Sequence, residues 1–245
     1  MINLENKKII ITGAASGIGK ATALLCVKSG ADVIAVDVNK MALEDLCREI
    51  VSKNICTYIA DVSKHDEVDR VFEAIESNTP YPYALVNNAG IYYGKSVLKY
   101  TEEEIDKVIS VNIKSAIYFS RKFAQYKLKN KEKGCIVNMS SVSGLEGSSD
   151  AIYGLTKAAL VGLTKSNAIN FSPCIRVNAV APGIVDTPML GTIPGYRIKK
   201  YREHELIEEP IKPEDVANTV AFLLSTAAEH YTGAVFDINN GCFMG

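Results

Sequence analysis

The stretch that most limits what this chain can fold into runs from Lys7 to Gly30. Lys7 to Thr12, Lys-Lys-Ile-Ile-Ile-Thr, is a short β-branched run that reads as a buried strand. It stops at Gly13. Thr12-Gly-Ala-Ala-Ser-Gly-Ile-Gly19 follows, then a helical pattern through Lys28 that ends at Gly30. The order is strand, glycine turn, helix. Gly13 permits a tight turn, Gly17 a close backbone approach to a phosphate, and Gly19 close helix–strand packing. The free N–H groups at the start of such a helix suit a pyrophosphate. The spacing here is G-x-x-x-G-x-G, a variant of the G-x-G-x-x-G dinucleotide fingerprint.

A second apolar strand, Asp32 to Val36, ends at Asp37, 20 residues after Gly17. A dinucleotide fold places its ribose-binding carboxylate near that distance. An acid there accepts from the 2′-hydroxyl of NAD and repels the 2′-phosphate of NADP. No Lys or Arg stands at Ser16 or Val38, where a phosphate clamp is expected. NAD is therefore the expected cofactor, and NADP the less favoured one.

The alternation continues. Met41 to Lys53 reads as a helix, Ile55 to Ala60 as a strand closed by Asp61-Val62, and Lys64 to Ser77 as a helix. After Pro80-Tyr-Pro82, the strand Tyr83 to Val86 runs into Asn87-Asn-Ala-Gly90, small residues suited to a ligand lying against backbone. Glu102 to Leu128 reads as one long helix, with Thr101 as N-cap and Glu104 completing a capping box. Asn112 lies inside it, where its amide competes for backbone hydrogen bonds, and propensity gives no reason for it. The strand Cys135 to Met139 delivers Ser140 and Ser141. A helix from about Ala151 to Phe171 follows, then a strand from Cys174 to Ala181 that runs into Pro182-Gly-Ile-Val-Asp-Thr187. Prolines 188, 194, 210 and 213 break the pattern up to a helix opening at Pro213 and running to about Ala227. An irregular insertion of that length predicts a substrate lid over about 188–212. A last strand, Ala234 to Ile238, leads to a glycine-rich end. The pattern predicts one α/β domain over residues 1–245. Its core would be a Rossmann-type, doubly wound parallel sheet of about seven strands, with helices on both faces and ligands at the carboxyl ends of the strands.

Composition excludes several classes. The net charge is −1 with no basic arm, so nucleic acid is not an expected partner. The first residues lack the apolar core of a signal peptide, and no run approaches a membrane span. Six cysteines, none in Cys-x-x-Cys spacing, fit a reduced, cytoplasmic protein; no metal site is expected.

Tyr153 and Lys157 stand four residues apart, on one helix face. An ammonium one turn from a phenol favours the phenolate and lowers its pKa from about 10. A hydroxyl from Ser140 or Ser141 can hold an oxygen beside that phenol. The stretch is thus suited to deprotonate an alcohol or protonate a ketone.

In order along nearly the whole chain come the Thr12 to Gly19 turn, Asp61-Val62, Asn87-Asn-Ala-Gly90, Asn112, Ser140-Ser-x-x-Gly144, Tyr153-x-x-x-Lys157 and Pro182 to Thr187. This ordered set resembles the short-chain dehydrogenase/reductase family in its compact, single-domain subclass. The resemblance implies Tyr153 as general acid/base, Lys157 as its tuner and ribose ligand, and Ser141 as holder of the substrate oxygen. It implies a proton-relay water held by Asn112. It places the pyrophosphate at Gly13, Ser16, Gly17, Ile18 and Gly19, the adenosine ribose at Asp37, and the adenine between Asp61 and Val62. Asn88, Ala89 and Gly90 would line the path to the nicotinamide, and Pro182, Gly183, Ile184 and Thr187 would hold its carboxamide end. It also implies a homo-oligomer, tetramer or dimer, through the helices carrying Asn112 and Tyr153. The family's serine usually precedes the tyrosine by thirteen residues. Ser141 precedes it by twelve and Ser140 by thirteen; the Ser-x-x-Gly context favours Ser141, with a deletion in the loop 145–150. The tail Asp-Ile-Asn-Asn-Gly also departs from the commoner Asp-Gly-Gly.

The function these readings imply is hydride transfer between NAD(H) and a secondary alcohol or ketone. Glu146, Ser148, Ser149 and Asp150 point to a hydroxylated substrate such as a sugar or polyol. Two alternatives are an NADPH-dependent 3-oxoacyl-thioester reductase and a non-catalytic NAD(H) sensor. Arg197, Lys199, Lys200 and Arg202 on the lid are candidates to meet an anionic substrate.

Overall fold

The computed structural model describes residues 2–50, 54–77, 80–193 and 195–244. These build a sheet of seven strands: β1 Lys8–Thr12, β2 Asp32–Asp37, β3 Ile55–Ile59, β4 Ala84–Asn87, β5 Gly134–Met139, β6 Ile175–Pro182 and β7 Val235–Ile238. The order is β3-β2-β1-β4-β5-β6-β7, with every neighbour parallel. Parallel neighbours need crossovers, and helices supply them. They are α1 Gly17–Lys28, α2 Lys40–Glu49, α3 His65–Glu76, α4 Glu102–Ile109, α5 Ser115–Lys129, α6 Ala151–Asn170, α7 Gly195–Arg202 and α8 Pro213–Leu224. Among the described residues no helix is long and apolar enough to cross a membrane.

The apolar runs are continuous because both faces of the sheet are covered. Ile9 and Ile11 of β1 pack into one core with Leu43, Leu46, Val216 and Val220 of α2 and α8. Ile10 points the other way, into a core with Phe72 of α3 and Phe119 and Phe123 of α5. A buried polar ladder crosses the second interface: Asn87 Nδ2 donates to Ser120 Oγ (3.0 Å) and Asn138 Oδ1 (2.8 Å), and Asn138 Nδ2 donates to Thr164 Oγ1 (2.9 Å). It fixes α5 and α6 against β4 and β5.

The capping box at Thr101 and Glu104 is present. The single helix expected over Glu102 to Leu128 is not. Ser110–Lys114 form a π turn between α4 and α5, with Asn112 at its centre. The wider turn seats the Asn112 amide on the main chain of Ile91, accepting from its N–H (2.8 Å) and donating to its carbonyl (3.0 Å). That contact explains an asparagine where propensity does not. The helix expected over Met41 to Lys53 ends at Glu49; residues 51–53 lie outside the described ones, as do Met1, Pro194 and Gly245. The helix from Pro213 ends at Leu224, and Thr226–Ala228 form a separate short turn.

The proline-interrupted stretch is more regular than expected. It holds a 3₁₀ turn, Pro188–Thr192, and helix α7. Its base is closed by a bridge between Val185 and Ile211. The unusual tail packs on it: Asn240 accepts from Leu206 N at its carbonyl (2.7 Å) and donates from Nδ2 to the Glu209 carbonyl (2.8 Å).

Gly19 shows how tightly the first crossover is packed. A Cβ there would lie 2.0 Å from the Gly13 carbonyl oxygen and 2.6 Å from Asn88 Nδ2. Gly19→Ala is expected to lower the unfolding free energy by about 1–3 kcal/mol, read as a lower urea midpoint. An unchanged midpoint would contradict the packing.

Candidate active site

A cleft of about 970 Å³ runs along the carboxyl ends of the strands. Its floor is a clamp between the loops after β1 and β4. Asn88 N and Ala89 N both donate to Thr12 Oγ1 (3.1 Å each), and Asn88 Nδ2 donates to the carbonyls of Thr12 (3.0 Å) and Gly13 (3.1 Å). Gly13 (φ +63°) and Gly17 (φ +50°) take the left-handed backbone that lets the turn lie close under α1. α1 starts with no side-chain cap at Ser16 and no acid in its first turn. Its leading N–H groups are unpaired within the helix and its positive end is uncompensated, which fits a pyrophosphate. Asp37 ends β2; its Oδ2 accepts from Ala15 N and its Oδ1 from Asn39 N, each at 3.0 Å. Partial burial pushes the Asp61 carboxyl up, but hydrogen bonds from Ser63 and the Lys107 ammonium outweigh it and hold it below the usual range.

Every residue expected in catalysis or cofactor binding lines this cleft except Gly19 and Asn112, which sit behind it. The lining set takes in Gly13, Ser16, Gly17 and Ile18; Asp37, Asp61 and Val62; Asn88, Ala89 and Gly90; Ser141, Tyr153 and Lys157; and Pro182, Gly183, Ile184 and Thr187. Asn112, 1% exposed, also donates from Nδ2 to Thr156 Oγ1 (3.0 Å). A Cβ at Gly90 would come 3.4 Å from Lys157 Nζ and 3.5 Å from Asn112 Oδ1. The backbone at Gly90 thus lies within ordinary van der Waals contact of both.

The two serines part company. Ser140 Oγ turns inward and donates to the Lys157 carbonyl (2.7 Å). Ser141 Oγ faces the cleft, pairs with the Tyr153 hydroxyl and reaches the Pro182 carbonyl (3.3 Å). Ser141 is thus the hydroxyl placed at the phenol, despite the shorter spacing.

Lys157 Nζ lies 5.4 Å from the Tyr153 ring centre and donates to the Met139 carbonyl (2.8 Å). The expected lowering of the tyrosine pKa is not found. Burial pushes Tyr153 up to about 12; the Ser141 bond lowers it, and Tyr92 and Asp150 raise it. Burial brings Lys157 down to about 8. Tyr153 keeps some exposure toward the cleft, yet protein atoms surround it, and desolvation of the anion dominates. At neutral pH the phenol holds its proton.

Asp150 also differs from expectation. It does not face a substrate but is fully buried, at 0% exposure. It caps α6 by accepting from Tyr153 N (3.0 Å), and it accepts from Gly94 N (2.9 Å) and Tyr100 Oη (2.8 Å). One carboxylate thus ties the start of α6 to the loop after β4. Glu146, Ser148 and Ser149 do line the cleft, with Glu146 taking the Tyr201 hydroxyl (2.6 Å). On the insertion, Arg197 and Lys200 line the cleft, whereas Lys199 and Arg202 do not. The sequence reading missed Tyr92, packed edge-on to Tyr153 with ring centres 5.0 Å apart. Its place two residues after the Asn-Ala-Gly turn at a strand end was the available signal.

A parallel sheet that sets an uncapped glycine turn opposite a paired serine, tyrosine and lysine defines a dinucleotide-dependent oxidoreductase. Comparisons narrow the class. A family model described as enoyl-(acyl carrier protein) reductase matches residues 13–242. The 3-oxoacyl-[acyl-carrier-protein] reductase FabG of Thermotoga maritima is 39% identical, over 98% of this chain and 99% of that relative. Two crystal structures from Brucella melitensis superpose closely. A short-chain dehydrogenase of glucose/ribitol dehydrogenase type gives a TM-score of 0.93 at 30% identity, covering 100% of this chain and 99% of that one. A 3-ketoacyl-(acyl-carrier-protein) reductase complexed with NADH gives 0.91 at 32%, covering 99% and 100%. The chain belongs to the short-chain dehydrogenase/reductase family. It is a hydride-transferring oxidoreductase on an NAD(P)-binding Rossmann fold.

Lys157 links the site to stability. Its folded pKa of about 8 lies below the ordinary 10.5, so the fold prefers the neutral amine. That preference contributes fully above pH 10.5 and is lost as pH falls through 8. At neutral pH the buried ammonium costs the fold on the order of 3 kcal/mol. Lys157→Met removes this cost and forfeits one hydrogen bond worth about 1 kcal/mol. The variant is expected to be inactive yet more stable than the parent at pH 7 by on the order of 2 kcal/mol. The gain should vanish by pH 10.5 in urea titrations across pH. Lower stability at pH 7 would contradict the cause assigned to the shift.

Proposed function

We propose that the protein is a 3-oxoacyl-thioester reductase that uses NAD(H). The observation that carries it is the Ser141 hydroxyl paired with the Tyr153 phenol in the cleft, beside Lys157. Relatives bearing the 3-oxoacyl reductase name support the substrate class. They back this reading better than the sugar or polyol one, which also loses Asp150 as a substrate contact. The polyol reading keeps the glucose/ribitol-type neighbour and comes second. A sensor without chemistry has no use for the assembled Ser141, Tyr153 and Lys157.

When bound, the nicotinamide supplies a hydride to the carbonyl carbon. The chain's residues do the rest. Ser141 holds the ketone oxygen and Tyr153 gives it a proton. Lys157, beside the phenol, favours return of a proton from the Gly90 and Asn112 side, and Asn112 fixes that wall. Gly13, Ser16, Gly17 and Ile18 take the pyrophosphate, and Asp37 the adenosine ribose. Asp61 and Val62 flank the adenine, Asn88 to Gly90 line the nicotinamide path, and Pro182 to Ile184 with Thr187 hold its amide. NAD(H) is preferred because Asp37 stands at the ribose position with no basic residue at Ser16 or Val38; the Brucella reductase was solved with NADH. The insertion from 188 to 212 covers the substrate. A homo-oligomer through α5 and α6 belongs to the same reading, since Ile117, Leu128, Leu155 and Ile169 stand exposed on them.

Tyr153→Phe should lower kcat for reduction of an acetoacetyl thioester by about 10²- to 10⁴-fold while NADH binding, followed by fluorescence, persists. Near-parental turnover would remove Tyr153 from the chemistry. A panel of polyols, sugars and 3-oxoacyl thioesters tests the substrate class; turnover confined to polyols would overturn it. Asp37→Ala should raise KM for NADH and lower KM for NADPH. A parent enzyme already favouring NADPH would overturn the cofactor assignment.

A further inference from the structure

Helix α7 presents a basic stripe to the cleft. Arg197 and Lys200 lie three residues apart on it, and His204 follows four residues later, just past its end; all three line the cleft. That spacing puts Arg197 and Lys200 on one side of the helix, and His204 joins them at the cleft from the turn beyond it. Among the described residues, no carboxylate pairs with Arg197 or Lys200. The nearby acid in the cleft wall, Glu146, is occupied by the Tyr201 hydroxyl.

Arg197 is held in place rather than loose in solvent. Its Nη1 donates to the Gly94 carbonyl (3.0 Å), its Nε to Tyr196 Oη (3.3 Å), and the guanidinium bonds the Tyr92 hydroxyl. Tyr92 in turn packs against Tyr153. A fixed cation therefore stands one aromatic ring from the proton donor. A guanidinium carries five N–H donors, so two remain after these three bonds. The stripe is also separate from the phosphate-binding turn: the residues a Cβ at Gly17 would meet are Thr187 and Pro188, not those of α7.

We propose that Arg197, Lys200 and His204 form a subsite for an oxyanion carried by the substrate. Two substrates share that chemistry: a thioester whose pantetheine arm bears a phosphate, and a short free oxo acid bearing a carboxylate. Charge-assisted bonds from a fixed guanidinium suit either one. The inference rests on the oxoacyl reading for the reacting group and adds what the rest of the substrate must carry.

The test uses three ketones with the same acetoacetyl group: acetoacetyl-coenzyme A, free acetoacetate, and the uncharged N-acetylcysteamine thioester. In Lys200→Gln and Arg197→Gln, the ratio of kcat/KM for the anionic substrate over the uncharged one should fall about tenfold, mainly through KM. A fall with coenzyme A assigns the subsite to an arm phosphate, and a fall with acetoacetate to a carboxylate. A ratio unchanged for both anions overturns the subsite and leaves the reductase reading intact. Failure of the parent enzyme to reduce any of the three overturns that reading instead. Calorimetry with 4′-phosphopantetheine and acetoacetate against pantetheine then decides the subsite alone. Binding of either anion that is lost in Lys200→Gln upholds it, and absence of binding overturns it.

Discussion

The site depends on one set of short contacts, the hydrogen bonds that clamp Asn88 to Thr12 and Gly13. β1 lies centrally, with β2 on one side and β4 on the other, so the loops leaving β1 and β4 diverge. A crevice opens at such a point in a doubly wound sheet. The Asn88 amide closes its floor and sets how far the glycine turn stands from Ala89 and Gly90. From there the geometry propagates: Gly90 passes between Lys157 and Asn112, and Asn112 is fastened to the next residue, Ile91.

On this frame the chemical groups are placed at a cost. Tyr153 and Lys157 are both shifted toward their neutral forms by burial. A buried pair stabilises charge only where attraction exceeds desolvation, and here it does not. The structure compensates by fixing position instead. Asp150 holds the first turn of α6 by the Tyr153 amide and holds the facing loop by Gly94 and Tyr100. The phenol and the tyrosine that packs against it are thereby referred to the same carboxylate.

Much of this was legible in the chain because it is local. The strand–glycine–helix order, Asp37 at the end of β2 and the Tyr153–Lys157 spacing each need only a few neighbouring residues. What was not legible depends on partners far away in sequence. Asp150 looks like a loop acid until Tyr100 and Gly94 are brought to it. The choice between Ser140 and Ser141 could not be made by counting loop residues. It follows from alternation at a strand end, where consecutive side chains point to opposite sides, one to the Lys157 carbonyl and one to the cleft. The reversed tyrosine shift escaped because spacing reveals a neighbouring charge and not the depth at which both groups are buried.

The π turn at Ser110–Lys114 has a consequence for how such a site is inherited. A π turn is one extra residue taken up within a single helical turn, so the flanking helices keep their phase. Deleting a residue elsewhere in α4, or in α5 before Phe119, would swing every later side chain by about 100°, pulling Phe119 and Phe123 from the core. Deleting one within the turn would leave an ordinary helix with both faces in register, and the Asn112 bonds to Ile91 and Thr156 would be lost. The length of this helix is therefore one residue more than packing needs, and a single codon separates a scaffold from a scaffold with its asparagine in place.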